Sequence, residues 1–273
     1  MYFVWAVLLT VGASAVMITA MLLVRRRAPR GGFFADGNRA AAVFGVLATA
    51  FALLLGFVIL LAFTNYADAR ASAQSEALVV AQQFETTQLL PPDVRGPLSG
   101  ELICYARSVI ASEWPLIASN IHPPFNPWAA ALLRTLQTVE PRTPSEKSAY
   151  GAWLSQTSTR EEWRRKRLHG GEGVVPLPVW LVLLFTAALT LVYMLFFADS
   201  GERAVVQALM VGSITAVIVT TLLLLTALNR PYQQGIGGVG PHAMEHTLEI
   251  IDEAQRALAI EVPAPCDDAG RPS

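Results

Sequence analysis

The chain is 273 residues long, 53% hydrophobic and only 15% charged, with a mean hydropathy of +0.43; soluble domains carry roughly a quarter of their residues as Asp, Glu, Lys or Arg. A water-soluble globular class is therefore excluded, and a lipid-facing chain is the natural reading. The formal net charge of −1 lacks the clustered surplus of Lys and Arg that nucleic acid demands, so that partner is excluded too.

Four uncharged runs, residues 2–24, 40–63, 174–198 and 204–228, exceed the ~18 to 20 residues needed to cross ~30 Å of hydrocarbon at about 1.5 Å per residue. Lipid offers backbone amides no partners, and the alternation of a closed barrel is missing, so these runs are predicted helices. The first has no basic residue ahead of it and outruns a typical signal core, so it is read as a retained span. Arg25, Arg26, Arg27, Arg30 and Arg39 make the first connecting loop basic, which by the positive-inside rule belongs in the cytoplasm. Near the span ends, however, that side with Arg203 counts six Lys or Arg, whereas Arg70, Arg160, Arg164, Arg165, Lys166, Arg167 and Arg230 give the other side seven. Charge counting alone leaves the orientation open.

The second span is predicted to continue as helix through Leu90, because no Gly or Pro intervenes between Thr64 and Pro91. One helix of about 50 residues, ~75 Å long, results. Beyond it, residues 98–120 carry Leu102, Tyr105, Val109, Ile110 and Trp114 at helical spacing, with Pro115 expected to kink or end the helix. A further helix is expected over residues 128–139. Another opens at Thr143, with Pro144 in its first turn and Glu146 three residues after the cap, and ends at Gly170 and Gly171. After the short 199–203 turn and the fourth span comes an irregular glycine-containing stretch. An amphipathic helix over 242–259 and a polar tail from Pro263, read as disordered, complete the chain. The fold class is thus an all-α membrane protein, with four transmembrane helices and an α-helical extramembrane domain between spans 2 and 3. The corresponding divisions are 1–63, 64–173, 174–228 and 229–273.

Cys104 and Cys266 are too few and too distant to read as a disulfide framework, and no zinc spacing surrounds them; they are taken as two unrelated free thiols. His242-Ala243-Met244-Glu245-His246 matches the H-x-x-E-H pattern of inverted zinc proteases. An exposed helix rich in His and Glu is the simpler explanation, so no metal and no catalytic residue is assigned. Glu113 beside Trp114 is expected to bridge to an arginine such as Arg107 or Arg70 while Trp114 fills a helical core. The cluster 164–167 is expected to anchor at the lipid headgroups. No Asp, Glu, Lys or Arg lies within the spans, which argues against an ion-coupled carrier.

Several local patterns together resemble the bestrophin-like membrane protein family, similar in layout to the bestrophin anion channels. They are Leu55-Gly56-Phe57, then Tyr66 with Asp68 and Ala69, Glu76-Ala77, Leu89-Leu90-Pro91, and Tyr105-Ala106 with Val109-Ile110. Glu113-Trp114-Pro115, Glu140-Pro141-Arg142-Thr143-Pro144 and Leu228-Asn229-Arg230-Pro231-Tyr232 complete the set. The resemblance implies a homo-oligomer, a pentamer, embedded in the bilayer of a bacterial plasma membrane. It further implies a central pore lined by the second span and a vestibule built by the insert, which in bestrophins is cytosolic. Mapped onto this chain, the neck residues are Thr49, Leu53 and Phe57, which a step of four keeps on one helix face. Rings of Leu53 and Phe57 would exclude water, and Thr49 would offer an ion a polar contact. The alternative is that all three pack against other helices or lipid, in a non-conducting membrane scaffold or signalling partner. Bestrophin channels also bind calcium through an acidic run after the fourth span. The matching Pro231-Tyr232-Gln233-Gln234-Gly235 has no carboxylate, so calcium activation and a cofactor are not expected.

Overall fold

The computed structural model describes residues 2–233, 235 and 237–272; Gln234, within the stretch matched to the calcium-binding run, lies outside them. Apart from loops and one isolated bridge, the described residues are helical: α1 (Tyr2–Arg25), α2 (Gly37–Thr87), α3 (Pro92–Ser108), α4 (Trp114–Ala118), α5 (Pro127–Gln137), α6 (Pro144–Gly170), α7 (Leu177–Leu195), α8 (Ala204–Asn229) and α9 (His242–Leu258). Four of them, α1, α2, α7 and α8, are long and apolar enough to cross a membrane. The third span is shorter than its apolar run because Pro176 stands at the N-cap and the chain leaves the helix at Phe196.

The residues fall into two compact units, one made chiefly of 1–65 and 173–229, the other of 66–172 and most of 230–273, with α2 contributing to both. In the first, Phe51, Leu55, Val58 and Ala62 recur at helical spacing on one face of α2 and pack with Leu183 and Ala187 of α7 and Ile218 and Leu225 of α8. Helix α1 packs on α8 at Gly212, where a Cβ would come within 2.9 Å of Ile18. That small residue lets the two backbones approach, as packing within a bilayer requires. Apolar side chains such as Val16, Phe185, Leu209 and Val217 point outward from these helices, the arrangement lipid demands and water forbids.

The second unit is a helical domain around Leu98, Leu102, Tyr105, Leu132, Leu136 and Trp153, all 1% exposed or less. Its helix starts follow the chemistry of their sequences. Thr143 caps α6 by accepting the Glu146 N–H at 3.2 Å while the Glu146 carboxylate accepts the Thr143 N–H at 3.1 Å. Asn126 accepts the Trp128 N–H at 3.0 Å and opens α5. Pro115 does not end its helix early. Instead residues Val109–Glu113 form a single wide π turn, in which the Trp114 N–H reaches back to Val109 O, and helix continues through Ala118. Proline lacks an N–H and crowds the carbonyl four residues back, and the widened turn relieves that crowding.

Two expectations are corrected here. Cys104 and Cys266 are not free thiols but a disulfide, spanning 162 residues of sequence. The segment from Pro263 to Pro272 is accordingly an ordered strap rather than a disordered tail: Cys266 pairs with Pro272 in an antiparallel bridge, and Trp128 Nε1 donates to Gly270 O at 2.6 Å. A covalent anchor and a buried indole outweigh the polar composition that suggested disorder.

Candidate functional site

The neck residues belong to α2. At about 100° per residue, Leu53 lies roughly 160° round the helix from Phe51 and Leu55, the residues that face the unit's own core. Leu53 is 70% and Phe57 62% exposed, and Thr49 shares their open face. Gly56 lies on the same side, and a Cβ added there would meet nothing within 4 Å. None of the described residues therefore requires a glycine at 56, or covers the two large apolar side chains beside it. Tyr66, further along α2, is half-buried.

Asn229 ends α8 inside the first unit, 8% exposed, its Oδ1 accepting the Val175 N–H at 2.9 Å. Gly173 makes this possible, because a Cβ there would lie 2.5 Å from Asn229 Nδ2. The amide thus ties the end of the fourth span to the approach of the third. Pro231 belongs to the second unit, where its carbonyl accepts the Val239 N–H at 2.7 Å and closes the intervening loop. The adjacent Tyr232 donates to Ala69 O at 3.0 Å.

A dense polar network is buried in the second unit. Arg160, Arg164 and Arg167 stand at i, i+4 and i+7 on α6 and continue the stripe that begins with Ala149 and Trp153. Arg167, fully buried, spans two carboxylates: its Nε and Nη2 donate to Glu76, and Nη2 also donates to Glu113 Oε2 at 2.7 Å. Arg164 donates to Glu113 Oε1 at 2.8 Å, an oxygen that Asn126 Nδ2 also reaches at 2.9 Å. Tyr105 O–H donates to Glu76 Oε1 at 2.7 Å. Arg164 and Arg167 thus balance Glu113 and Glu76, and Arg160, also buried, pairs with the half-buried Glu161 at 3.3 Å, which is what makes so much buried charge tolerable. Arg160 donates to Gln83 at 2.9 Å and stacks over the Tyr105 ring, while Arg167 lies over Trp114.

Burial on its own would raise the Glu113 carboxyl, but Arg167 and then Arg164 outweigh it and hold the group below the ordinary glutamate range. Burial likewise pulls on Arg167, yet the Glu76 and Glu113 carboxylates reverse this and leave it more firmly protonated than usual. Burial, reinforced by Glu76, pushes the Tyr105 phenol far up, so it remains a donor. Glu113, Arg164, Arg167 and Tyr105 are each held in one protonation state near neutrality, as befits a keystone of packing rather than an acid–base centre.

Trp114, expected to fill a helical core, lies in one, and Glu113, expected to bridge to an arginine, does so from the same core. The arginines that meet Glu113 are Arg164 and Arg167, not Arg107 or Arg70; Arg107 reaches Asp267 O and Asp268 instead. The same finding corrects the headgroup reading of the 164–167 cluster, of which only Arg165 and Lys166 are exposed. Pro115 is exposed and serves through the π turn it imposes. The network's signal in the sequence was the spacing of the three arginines in phase with Trp153, together with Glu76 in phase with Ala69, Ala73 and Val80.

In the H-x-x-E-H stretch, His242 pairs with Glu245 at 2.9 Å and His246 with Glu249 at 3.0 Å, as exposed neighbours one turn apart. Among the described residues no group of three or more His, Cys, Asp or Glu is placed to hold a metal ion.

The model of the bestrophin-like domain matches residues 11–244. Among solved structures, a bacterial bestrophin homolog from Klebsiella pneumoniae aligns with a TM-score of 0.67 at 15% identity, over 95% of this chain and 99% of that one. Its L177T variant aligns with a TM-score of 0.66 at 15% identity, over 94% and 99%. No curated protein matches. At that identity the structures establish the shared fold, and the match over most of the length establishes the family: this chain belongs to the bestrophin-like membrane proteins.

Proposed function

We propose that the chain is a subunit of a homo-oligomeric, pentameric channel that conducts ions passively across a bacterial plasma membrane, with Thr49, Leu53 and Phe57 of each α2 forming the neck. The observation that carries this reading is the open face of α2. Two large apolar side chains and a glycine project away from the subunit's own core, on a helix whose spanning part has no charge. A ring of such faces makes an apolar constriction that gates by excluding water. The absence of Asp, Glu, Lys and Arg from the four apolar runs agrees with passive flow rather than proton-coupled carriage or catalysis. Residues 64–173 are assigned as the extramembrane vestibule, and Glu113, Trp114 and Asn229 as residues that hold the frame.

The competing reading is a non-conducting scaffold that binds another protein. It draws on Leu78, Ile121 and Phe125, which are 54 to 68% exposed on the helical unit. Mass measurement of the detergent-purified protein, followed by bilayer recording, separates the two. The channel reading expects a ring-sized oligomer and a conductance that rises in Phe57→Ala. A monomer, or an oligomer whose Phe57→Ala variant remains silent, would transfer the case to the scaffold.

A further inference from the structure

The disulfide at Cys104 says which side of the membrane the helical unit occupies. Both half-cystines are buried, Cys104 at 0% and Cys266 at 8% exposure, and the surrounding chain is shaped to join them. A Cβ at Gly100 would come within 2.5 Å of Pro263 O, so only glycine lets the strap lie this close on α3. Gly270 has φ +71° and faces the Ser108 backbone, where a Cβ would approach to 2.4 Å. The Asp267 carboxylate accepts the Ala269 and Arg271 N–H groups at 3.0 and 2.8 Å, turning the strap back on itself. Thiols are kept reduced in the bacterial cytosol, and structural disulfides form and persist in the oxidising space outside it.

The charge pattern agrees once the fold is known. The positive-inside rule is written for short loops, below about 60 residues, because long domains translocate largely regardless of their charge. The short loop here is the α1–α2 connection with its run of arginines. Three of the seven cations counted on the opposite side, Arg160, Arg164 and Arg167, are buried inside the helical unit. The even balance that left orientation open in the sequence therefore tips toward a cytoplasmic first loop.

We propose that the helical unit, with its strap, lies on the extracytoplasmic face of the membrane, and that the α1–α2 connection and the α7–α8 turn face the cytoplasm. This is the reverse of the orientation that resemblance to bestrophins implies, and it holds whether or not the protein conducts. The cysteine pair is in consequence a substrate for a protein disulfide oxidant of that compartment. The two thiols lose two electrons and two protons as the S–S bond forms, and the oxidant's own disulfide is reduced to a dithiol.

The test is made on the full chain in a bacterial host. Cells are quenched in acid, denatured and treated with a mass-adding maleimide. No cysteine should react before reduction, and two should react after it. Two unreduced thiols in the quenched cells overturn the proposal. As a second readout, Lys147→Cys and Ala35→Cys, both exposed positions, are placed separately in a Cys104→Ser/Cys266→Ser background. A membrane-impermeant maleimide applied to intact spheroplasts should label Lys147→Cys at once and Ala35→Cys only after permeabilisation, and the opposite order overturns the proposal. If the background variant does not accumulate, the thiol count of the unaltered chain decides alone.

Discussion

Replacing Arg167 with Met isolates what the buried ion network contributes. The substitution keeps much of the volume but removes one fully buried cation, its charge-assisted hydrogen bonds to Glu76 and Glu113, and its contact over Trp114. Glu113 retains Arg164, whereas Glu76 is left, among the described residues, with the Tyr105 hydroxyl. Stranding one member of a buried pair costs about 3–5 kcal/mol, and at roughly 2–4 °C per kcal/mol for a unit of this size the midpoint falls by roughly 6–20 °C. Thermal unfolding followed by tryptophan emission checks this, because Trp114 lies beneath the removed guanidinium. Adding Glu76→Gln should recover a large part of the loss, since the pair then goes as a pair and Gln still accepts from Tyr105. A fall below about 2 °C for Arg167→Met, or a double variant as damaged as the sum of the singles, refutes the view of the network as one coupled unit.

Acid should loosen the same unit. Glu113 is held below its ordinary 4.5 in the folded state, so the unfolded chain takes up its proton first. The stability it supplies is complete above about pH 4.5 and is lost as pH falls through the lowered folded value. A midpoint series from neutral to acid should therefore slope downward at the acid end, and Glu113→Gln should flatten that slope while lowering the neutral value. In the membrane unit, Gly173→Ala should lower stability by about 1–3 kcal/mol, since the new Cβ would displace Asn229 and leave the Val175 N–H unpaired. The loss is read from heat resistance of the detergent-solubilised protein, and combining it with Asn229→Ala should add little, because both act on one hydrogen bond.

Which features were legible in the sequence follows from the range over which each is encoded. The spans, the unbroken run of α2 and the Thr143 cap are local, set by hydropathy, by the absence of Gly and Pro, and by residues three apart. That Thr49, Leu53 and Phe57 share one face of α2 was legible for the same reason, since a step of four fixes a helix face wherever the helix goes. The ion network was not, because Arg167 meets partners 91 and 54 residues away. Its arginines, seen next to a proline and an apolar run, looked like headgroup anchors. Their phase with Trp153 pointed inward, but nothing nearby in the sequence names Glu76 and Glu113 as their partners. The disulfide lay further out of reach, its two ends 162 residues apart, and with it went the order of the strap.

The π turn at Val109–Glu113 amounts to one residue more than an α-helix would use, carried on the exposed side at Ala111 and Ser112. Its effect on everything downstream is a phase offset of about 100°. Loss of a single codon within it would restore ordinary helical hydrogen bonding and, locally, give a more regular helix. It would also rotate Glu113, Trp114 and Ile117 out of the interior relative to α3, breaking the charge balance with no residue of the network itself replaced. The length of this segment is therefore as much a part of its coding as its chemistry, and an in-frame deletion there should be less well tolerated than most substitutions at the two exposed positions.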